Sequence, residues 1–291
     1  MMKGVSKGAM AVRLPDGSID VEDWDIKPKK WYNKCPVIRG SINFVQQLRE
    51  GYSCLMKSAD KSGMMDDDSE EEQSKFEKWL DDKFGDKLTG AIMAIAMVIG
   101  IALAVFLFLL LPSFLGGFVP KDWGVLARNV LEGIVRIAIF LMFMWSVSHM
   151  KDIRRTFEYH GAEHKTIFCY ENDLPLTVEN VRKQKRFHPR CGSSFMILML
   201  LLGIIIGFFI PFSNPFLRTF CKLLCLPIVV SIGYELIKLC GKYDNVLTRI
   251  IAAPGLWFQR LTVKEPTDKM MEAAIAAMKA VIPENGEDII R

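Results

Sequence analysis

The stretch LTGAIMAIAMVIGIALAVFLFLLLPSFLGGFVP, residues 88–120, decides the class of this protein because it contains no charged side chain. A helix of about 20 consecutive apolar residues is long enough to cross the hydrocarbon core of a bilayer. The stretch exceeds that length, so we predict a membrane-spanning helix within it.

Three further segments are apolar enough to be considered as spans. Residues 192–217 carry no charge and include the helix-breaking sequence IPFSNP near their end. The segments 125–150 and 216–239 contain charged residues, and each follows a strong span after a short connector. Long basic side chains near helix ends can extend to the membrane interface, so the basic residues of these segments are compatible with two further spans. We therefore predict four transmembrane helices, arranged as two hairpins.

The composition agrees with a membrane protein. Of the 291 residues, 51% are hydrophobic, and the mean hydropathy of +0.20 is above that of an ordinary water-soluble protein. The 37 basic residues nearly balance the 33 acidic ones, so we do not expect a nucleic acid as partner. Seven cysteines, three of them in apolar context, favour a reducing compartment over a secreted disulfide framework.

The basic residues predict the orientation of the chain in the membrane. Residues 151–190, between the two hairpins, contain nine Lys and Arg residues, whereas the connectors at 116–124 and 211–217 contain one and none. Cytoplasmic loops of membrane proteins are enriched in Lys and Arg. We expect a multi-pass protein of the cell (inner) membrane, in contact with membrane lipid, with both termini and the central segment in the cytoplasm.

The N-terminal part of the chain predicts a β-hairpin followed by an amphipathic helix. Residues 9–14 and 18–22 flank a Pro-Asp-Gly turn, in which proline presets φ and glycine accepts a positive φ. From 37 to 59, apolar residues recur at helical spacing among polar ones. Residues 75–88 show a similar stripe surrounded by lysines, which indicates either a helix on the membrane surface or a soluble core helix.

These patterns define six regions of an α-helical integral membrane protein. They are an N-terminal cytoplasmic β-hairpin and amphipathic helix (1–59), an acidic linker (60–74), an interfacial helix and the first transmembrane hairpin (75–150), a cytoplasmic His/Cys lobe (151–192), the second transmembrane hairpin (193–240) and C-terminal cytoplasmic amphipathic helices (241–291).

The four histidines lie within forty residues, which suggests a shared task such as metal binding. His160 and His164 are spaced i, i+4, so both rings leave one face of a helix and can bind the same ion. With Glu163 they form the pattern H-x-x-E-H, in which two histidines hold zinc and the glutamate is the general base. Alternatively, the histidines form a hydrogen-bonded pair, and Glu163 pairs with a neighbouring charge or supports a histidine.

His188 and Cys191 form a second pair of candidate ligands, spaced like one arm of a zinc site. If both join the first pair, the resulting four-ligand site is closed and structural; if one stays out, the open position beside Glu163 suits hydrolysis. Alternatively, Cys191 does not bind a metal and only packs against its neighbours at the start of a helix. We expect His149, at the end of an apolar helix, to be an ordinary interfacial histidine.

Charged residues inside apolar segments are candidate functional groups, because charge is costly to place in a bilayer. Arg128, Glu132 and Arg136 repeat every four residues and predict a structural ladder of ion pairs on one helix face. Glu235, near the inner end of the last span, is expected either to pair with Lys238 or to turn toward the histidines.

Seven short motifs spread over nearly the whole chain form a specific set. They are AVRLPDG at 11–17, PVIRG at 36–40, KDIRR at 151–155, YHGAEHK at 159–165, LTVENVR at 176–182, HPRCG at 188–192 and YE at 234–235. Together they resemble the YqhQ-like family of bacterial membrane proteins, a family of unknown function whose members are regarded as metal-dependent enzymes because of the histidine motif. The resemblance implies a metal and a membrane location, and it names no substrate.

The sequence supports two functional hypotheses. The first is a zinc-dependent hydrolase at the inner face of the membrane, with His160 and His164 as ligands and Glu163 as base. The site would be completed by His188, Cys191 or Glu235. The second is a non-catalytic accessory factor for protein insertion or complex assembly, with a membrane-protein partner and a structural metal. A transporter is less favoured, because two hairpins and one ion ladder offer little for a translocation path.

The charge asymmetry generates a test of orientation. A membrane-impermeant thiol reagent should label a cysteine introduced at Lys121 in intact cells and should not label one introduced at Asp173, because only the first position is expected outside. The parent protein without either introduced cysteine gives the background. Labelling at 173 but not at 121 would reverse the orientation.

Overall fold

The computed structural model describes residues 1–26, 35–62, 94–189, 191–243 and 245–283. These residues form two compact units. The first unit comprises the described residues of 1–62, 143–202 and 227–291, and the second comprises those of 63–142 and 203–226. The predicted interfacial helix at 75–88, and all but the start of the predicted linker at 60–74, lie outside the described residues.

Helices dominate the part of the chain that the structure describes. In chain order they are α1 (Pro36–Lys61), α2 (Ala94–Gly116), α3 (Gly124–Val147), α4 (Lys151–Glu171), α5 (Val178–Arg182), α6 (Gly192–Gly207), α7 (Pro215–Lys242), α8 (Val246–Thr262) and α9 (Asp268–Val281).

The predicted N-terminal β-hairpin is confirmed. Strand β2 (Lys7–Arg13) pairs antiparallel with β3 (Ile19–Asp25), and a short β1 (Met2–Lys3) pairs with the other edge of β2. In the turn, Gly17 adopts a φ of +88°, and the Asp16 carboxylate accepts hydrogen bonds from the Ser18 backbone N–H and hydroxyl at 2.9 and 2.6 Å. This turn chemistry fixes the register of the two strands.

The core of the first unit lies where α9 packs against the sheet and α4. Ala9 of β2 and Ala162 of α4 are fully buried, and their small side chains allow the backbones to approach α9 closely. One face of α9 therefore forms this core. The buried side chains of α9 include Met270, Met271, Ala274, Ile275, Met278 and Val281.

Helix α1 pairs with the sheet through charged side chains, and among the described residues its apolar face has no cover. Lys57 donates to Glu22 at 2.8 Å, and Lys61 pairs with Asp20 and Glu22. The exposed apolar side chains are Ile38, Val45, Leu48, Tyr52 and Leu55.

Three described helices are long and apolar enough to cross a membrane, namely α2, α3 and α7. Helix α6, which begins the predicted span at 192–217, has 16 residues. It extends only about 24 Å, less than the hydrocarbon core of about 30 Å. It ends at Gly207, ahead of the helix-breaking Pro211. Three of the four predicted spans therefore have the required length as described helices.

The predicted ion ladder on α3 is formed in part. Arg136 donates to Glu132 Oε1 at 3.0 Å, whereas Arg128 donates to the carbonyl oxygen of Ser213 at 2.7 Å. Arg218 and Lys222 are both buried and pair with Glu132 as well. A buried carboxylate such as that of Glu132 strongly attracts basic side chains. The spacing of residues along one helix could not indicate these pairs, because the basic residues lie on another helix.

The packing of α9 yields a stability test. Met271→Ala should lower the free energy of unfolding by about 2–5 kcal/mol, because this side chain is only 1% exposed and its removal leaves a cavity. Lys279→Ala, on the exposed side of α9, is the control and should change it by less than about 0.5 kcal/mol. Thermal unfolding of the purified proteins provides the measurement. Equal midpoints for the two variants would contradict this core.

Candidate metal centre

Helix α4 presents His160 and His164 on one face, as their spacing predicts. Their ring centroids lie 4.4 Å apart. Gly161, between them, admits the chain that follows α8, because a Cβ atom at this position would clash with the carbonyl oxygen of Lys264. The N–H of Lys264 donates to the carbonyl oxygen of Phe157 at 3.0 Å. The glycine therefore brings the end of α8 against the histidines.

Both histidine rings are oriented by backbone carbonyl groups. His160 Nδ1 lies 3.1 Å from the oxygen of Thr262, and His164 Nδ1 lies 2.6 Å from the oxygen of Arg186. A carbonyl oxygen only accepts hydrogen bonds, so each Nδ1 carries the hydrogen. In the neutral ring, Nε2 then keeps the lone pair that can bind a metal ion.

Cys191 completes a group of three potential ligands. Its Sγ lies 3.1 Å from His160 Nε2, and the ligand atoms of His160, His164 and Cys191 all lie within 4.8 Å of one another. Cys191 directly precedes α6, where the backbone N–H and the hydroxyl of Ser193 lie 3.4 and 3.0 Å from the sulfur. Among the described residues, these three form the His/Cys/Asp/Glu group that could hold a metal ion.

The surroundings of Cys191 favour the thiolate, which is the form that binds metals. Burial opposes ionisation, but the hydrogen bonds and positive charge of His160 and His164 outweigh it and lower the pKa of the thiol to about 5. Burial likewise lowers the pKa of His160, yet the hydrogen bond and charge of Cys191 raise it to about 9. The sulfur and the imidazole therefore stabilise each other's charge, and a metal cation can take the place of the proton between them.

The structure does not bring His188 into the ligand group, contrary to the four-ligand set considered from the sequence. Its Nε2 lies 3.3 Å from Glu171 Oε2, and its ring centroid is 5.8 Å from that of His164. The reason lies in the backbone: the fully buried Gln259 accepts from the His188 N–H at 2.9 Å and donates to the His188 carbonyl at 2.7 Å. This clamp sets the direction of the chain before Cys191.

The sequence analysis missed three parts of the site, namely Gln259 and the carbonyl groups of Thr262 and Arg186. Gln259 is an uncharged residue within the apolar helix α8, and its amide also donates to Ser194 Oγ at 2.8 Å. A single amide side chain in an apolar helix indicates a buried hydrogen-bonding role, because buried amides need partners. The sequence could therefore have pointed to Gln259, but it gives no indication of which backbone carbonyl groups face the histidines.

Glu163, the predicted base, borders a cavity of about 630 Å³ beside the ligand group. His164 borders the same cavity, and so do Glu171 and His188. The Met1 amino nitrogen, on the wall of this cavity, lies 2.5 Å from Glu163 Oε1. One ligand and the predicted base thus share a space that can admit a small molecule.

Two other sequence candidates lie elsewhere in the first unit. Glu235 accepts hydrogen bonds from both Nε and Nη2 of Arg39 on α1, the first at 2.5 Å, rather than turning toward the histidines. His149 Nδ1 donates to the carbonyl oxygen of Trp145 at 2.7 Å. Neither belongs to the group of potential ligands among the described residues.

The donor set of the group fits a divalent transition metal. Two imidazole nitrogens and one thiolate are ligand types that zinc prefers, and histidines that bind zinc commonly donate their other N–H to a carbonyl oxygen. The geometry therefore permits a metal ion to be held by His160, His164 and Cys191.

Comparison with known proteins places this chain in a family. Residues 35–284 match the family described as "Protein of unknown function (DUF1385)". The chain belongs to this family. It is 32% identical over 287 residues to "Uncharacterized protein YqhQ" of Bacillus subtilis (strain 168), covering 97% of this chain and 89% of that protein. No solved structure matches the chain.

The three-residue group in this DUF1385 member generates a metal-binding test. His160→Ala and Cys191→Ser should each reduce bound metal at least several-fold, because each removes one of three ligands. His149→Ala is the matched control and should leave metal content unchanged. Elemental analysis of protein purified without chelators provides the measurement.

His188→Ala distinguishes the three-ligand group from a four-ligand set. It should retain most of the bound metal, because His188 faces Glu171. Loss of metal in this variant to the extent seen with His160→Ala would restore His188 as a ligand, and wild-type protein without stoichiometric metal would contradict the whole site.

Proposed function

We propose that this protein is a zinc-dependent hydrolase of the cell membrane that acts at the cytoplasmic face. The observation that supports this most directly is the cavity of about 630 Å³ that His164 and Glu163 both border. A structural metal needs no such space, whereas a hydrolase must bring its substrate beside both a ligand and a base.

In this proposal His160, His164 and Cys191 hold the zinc ion. Catalytic zinc sites in proteins commonly use three protein ligands and leave a position for water or substrate, and the number of ligands in this group agrees with that arrangement. A bound zinc ion would act there as a Lewis acid that polarises the substrate and activates water. The carbonyl groups of Thr262 and Arg186 hold the two imidazoles in the orientation that binding requires.

The residues on the cavity wall supply the remaining chemistry. The Glu163 carboxylate takes a proton from the attacking water and passes it to the leaving group. Glu171 and His188 offer hydrogen bonds that orient the substrate, and the apolar side chains of Ile167 and Met278 exclude bulk water from that part of the wall.

The proposal includes the topology that the sequence predicts. Helices α2 and α3 form the first membrane hairpin, and α6 and α7 form the second, with both termini in the cytoplasm. The 16 residues of α6 contain no charge, and a short apolar helix can be accommodated by local thinning of the bilayer. The nine basic residues at 151–190 support the cytoplasmic placement of the site.

A second candidate function is a non-catalytic accessory factor for protein insertion or complex assembly. The exposed apolar face of α1, with Val45, Leu48 and Tyr52 each more than half exposed, supports it as a surface for a membrane-protein partner. The metal would then be structural, because the ligand group joins α4 to the chain before α6 and would stabilise the fold.

Glu163→Gln tests the hydrolase against the accessory factor. If Glu163 is the base, the variant should keep normal abundance and metal content and fail to complement a strain that lacks the gene, because a neutral amide cannot accept the proton. Glu158→Gln, on the same helix and paired with Arg154 rather than bordering the cavity, is the matched control.

The two outcomes separate the functions clearly. Full complementation by Glu163→Gln would contradict the hydrolase. An accessory factor would instead tolerate this change and lose abundance when His160 or Cys191 is replaced, since a structural metal contributes folding energy.

A further inference from the structure

Helix α8 (Val246–Thr262) has two opposite faces with different surroundings. One face is buried and reaches the candidate metal centre: the Gln259 amide holds the backbone of His188, and the Thr262 carbonyl oxygen accepts from His160. The other face is apolar and exposed, and within the described part of the chain it has no cover. Its large side chains, each more than half exposed, are Val246, Leu247, Ile250 and Trp257.

The exposed face is too extensive for an ordinary helix in water. From Val246 to Trp257 it runs about 16 Å along the helix axis, at about 1.5 Å per residue. A large contiguous apolar surface marks contact with a membrane or another protein. Tryptophan is enriched at the membrane–water interface, because its ring is apolar and its N–H can donate to polar groups. The presence of Trp257 in this face therefore favours a membrane.

The start of α8 is fixed to the end of the spanning helix α7. Thr248 Oγ1 donates to the carbonyl oxygen of Tyr243 at 2.9 Å, and Cys240 Sγ donates to the carbonyl oxygen of Thr248 at 3.5 Å. Helix α7 has 28 residues and so extends about 42 Å, which matches the thickness of a bilayer with its headgroups. When α7 crosses the bilayer, the first turn of α8 therefore lies at the headgroup level.

Two basic side chains border one edge of the apolar face. Arg249 and Arg260 are both exposed and lie within about 20° of each other around the helix axis. Long basic side chains at the edge of an interfacial helix extend from the apolar surface to lipid phosphate groups. Residues 246–262 include no Asp or Glu, so a second copy of this helix would offer these arginines no carboxylate. An anionic lipid surface complements this charge pattern better.

We propose that α8 lies in the bilayer interface, with its apolar face among the upper acyl chains and Arg249 and Arg260 on the phosphate groups of anionic phospholipids. This placement rests on the membrane topology of the proposed function and requires neither a metal nor hydrolysis. The buried face of α8 carries Gln259 and the Thr262 carbonyl group. The candidate metal centre is therefore held about one helix diameter, roughly 10 Å, from the lipid.

Tryptophan fluorescence of the full-length protein in nanodiscs tests this placement. The contribution of Trp257 is the difference between wild type and Trp257→Phe. Phosphatidylcholine brominated near the headgroup end of its acyl chains should reduce this contribution at least about twofold, because interfacial helices insert to that depth and bromine quenches indole on contact. Trp145, on the spanning helix α3, is the positive control, and Trp24, on β3 of the hairpin, is the negative control.

The controls separate the placement of α8 from the membrane topology. Quenching of Trp145 without quenching of Trp257 would overturn the placement and leave the topology intact. Aqueous acrylamide would then show what surrounds the face, since efficient quenching of Trp257 indicates water and protection indicates a protein cover such as a second copy. Absence of quenching at both Trp145 and Trp257 would contradict the topology together with the placement.

A second measurement tests the preference for anionic lipid. Brominated phosphatidylglycerol, as a minor component of unbrominated phosphatidylcholine, should quench Trp257 several-fold more than the same fraction of brominated phosphatidylcholine, because each arginine near the surface attracts anionic headgroups. Arg249→Gln combined with Arg260→Gln should remove this excess. Lys269→Gln combined with Lys279→Gln, which removes two exposed charges from α9, is the matched control and should retain it. Equal quenching of wild type by the two brominated lipids would overturn the proposed partner.

Discussion

The candidate metal centre depends on two hydrogen bonds that reach from histidine side chains to the backbone. Each Nδ1 hydrogen is fixed by a carbonyl group, one from Thr262 at the end of α8 and one from Arg186 in the chain between α5 and α6. A carbonyl group can be placed only by the fold of its own segment. The ligand atoms therefore point toward Cys191 because three segments far apart in sequence have folded together.

Buried polar groups have different partners in the two units. In the first unit, neutral backbone groups and one amide, Gln259, orient the candidate ligands. In the second unit, the basic side chains of Arg136, Arg218 and Lys222 pair with the one carboxylate of Glu132. Buried polar groups thus orient side chains in one unit and form ion pairs in the other.

Local patterns in the sequence predicted much of this protein. The i, i+4 spacing identified His160 and His164 as a pair, the Pro-Asp-Gly turn identified the hairpin, and hydropathy located the three long apolar helices. These features are periodic or local, so they follow from helix and strand geometry. Whether His188 joins the ligand group could not be predicted, because its backbone is held by Gln259, 71 residues further along the chain. The burial of Arg218 has the same kind of cause, since it depends on a carboxylate on another helix.

The packing of β2 against α9 has a consequence for biosynthesis. The strand at Lys7–Arg13 is synthesised long before its partner helix at Asp268–Val281. At about 5–20 residues per second, translation separates the two by tens of seconds. Throughout that interval the apolar face of the hairpin has no cover from α9, and the spanning helices between them must be inserted first. The early strand therefore waits for α9 to be synthesised, and nascent chains need a chaperone or the membrane surface to keep this strand from aggregating.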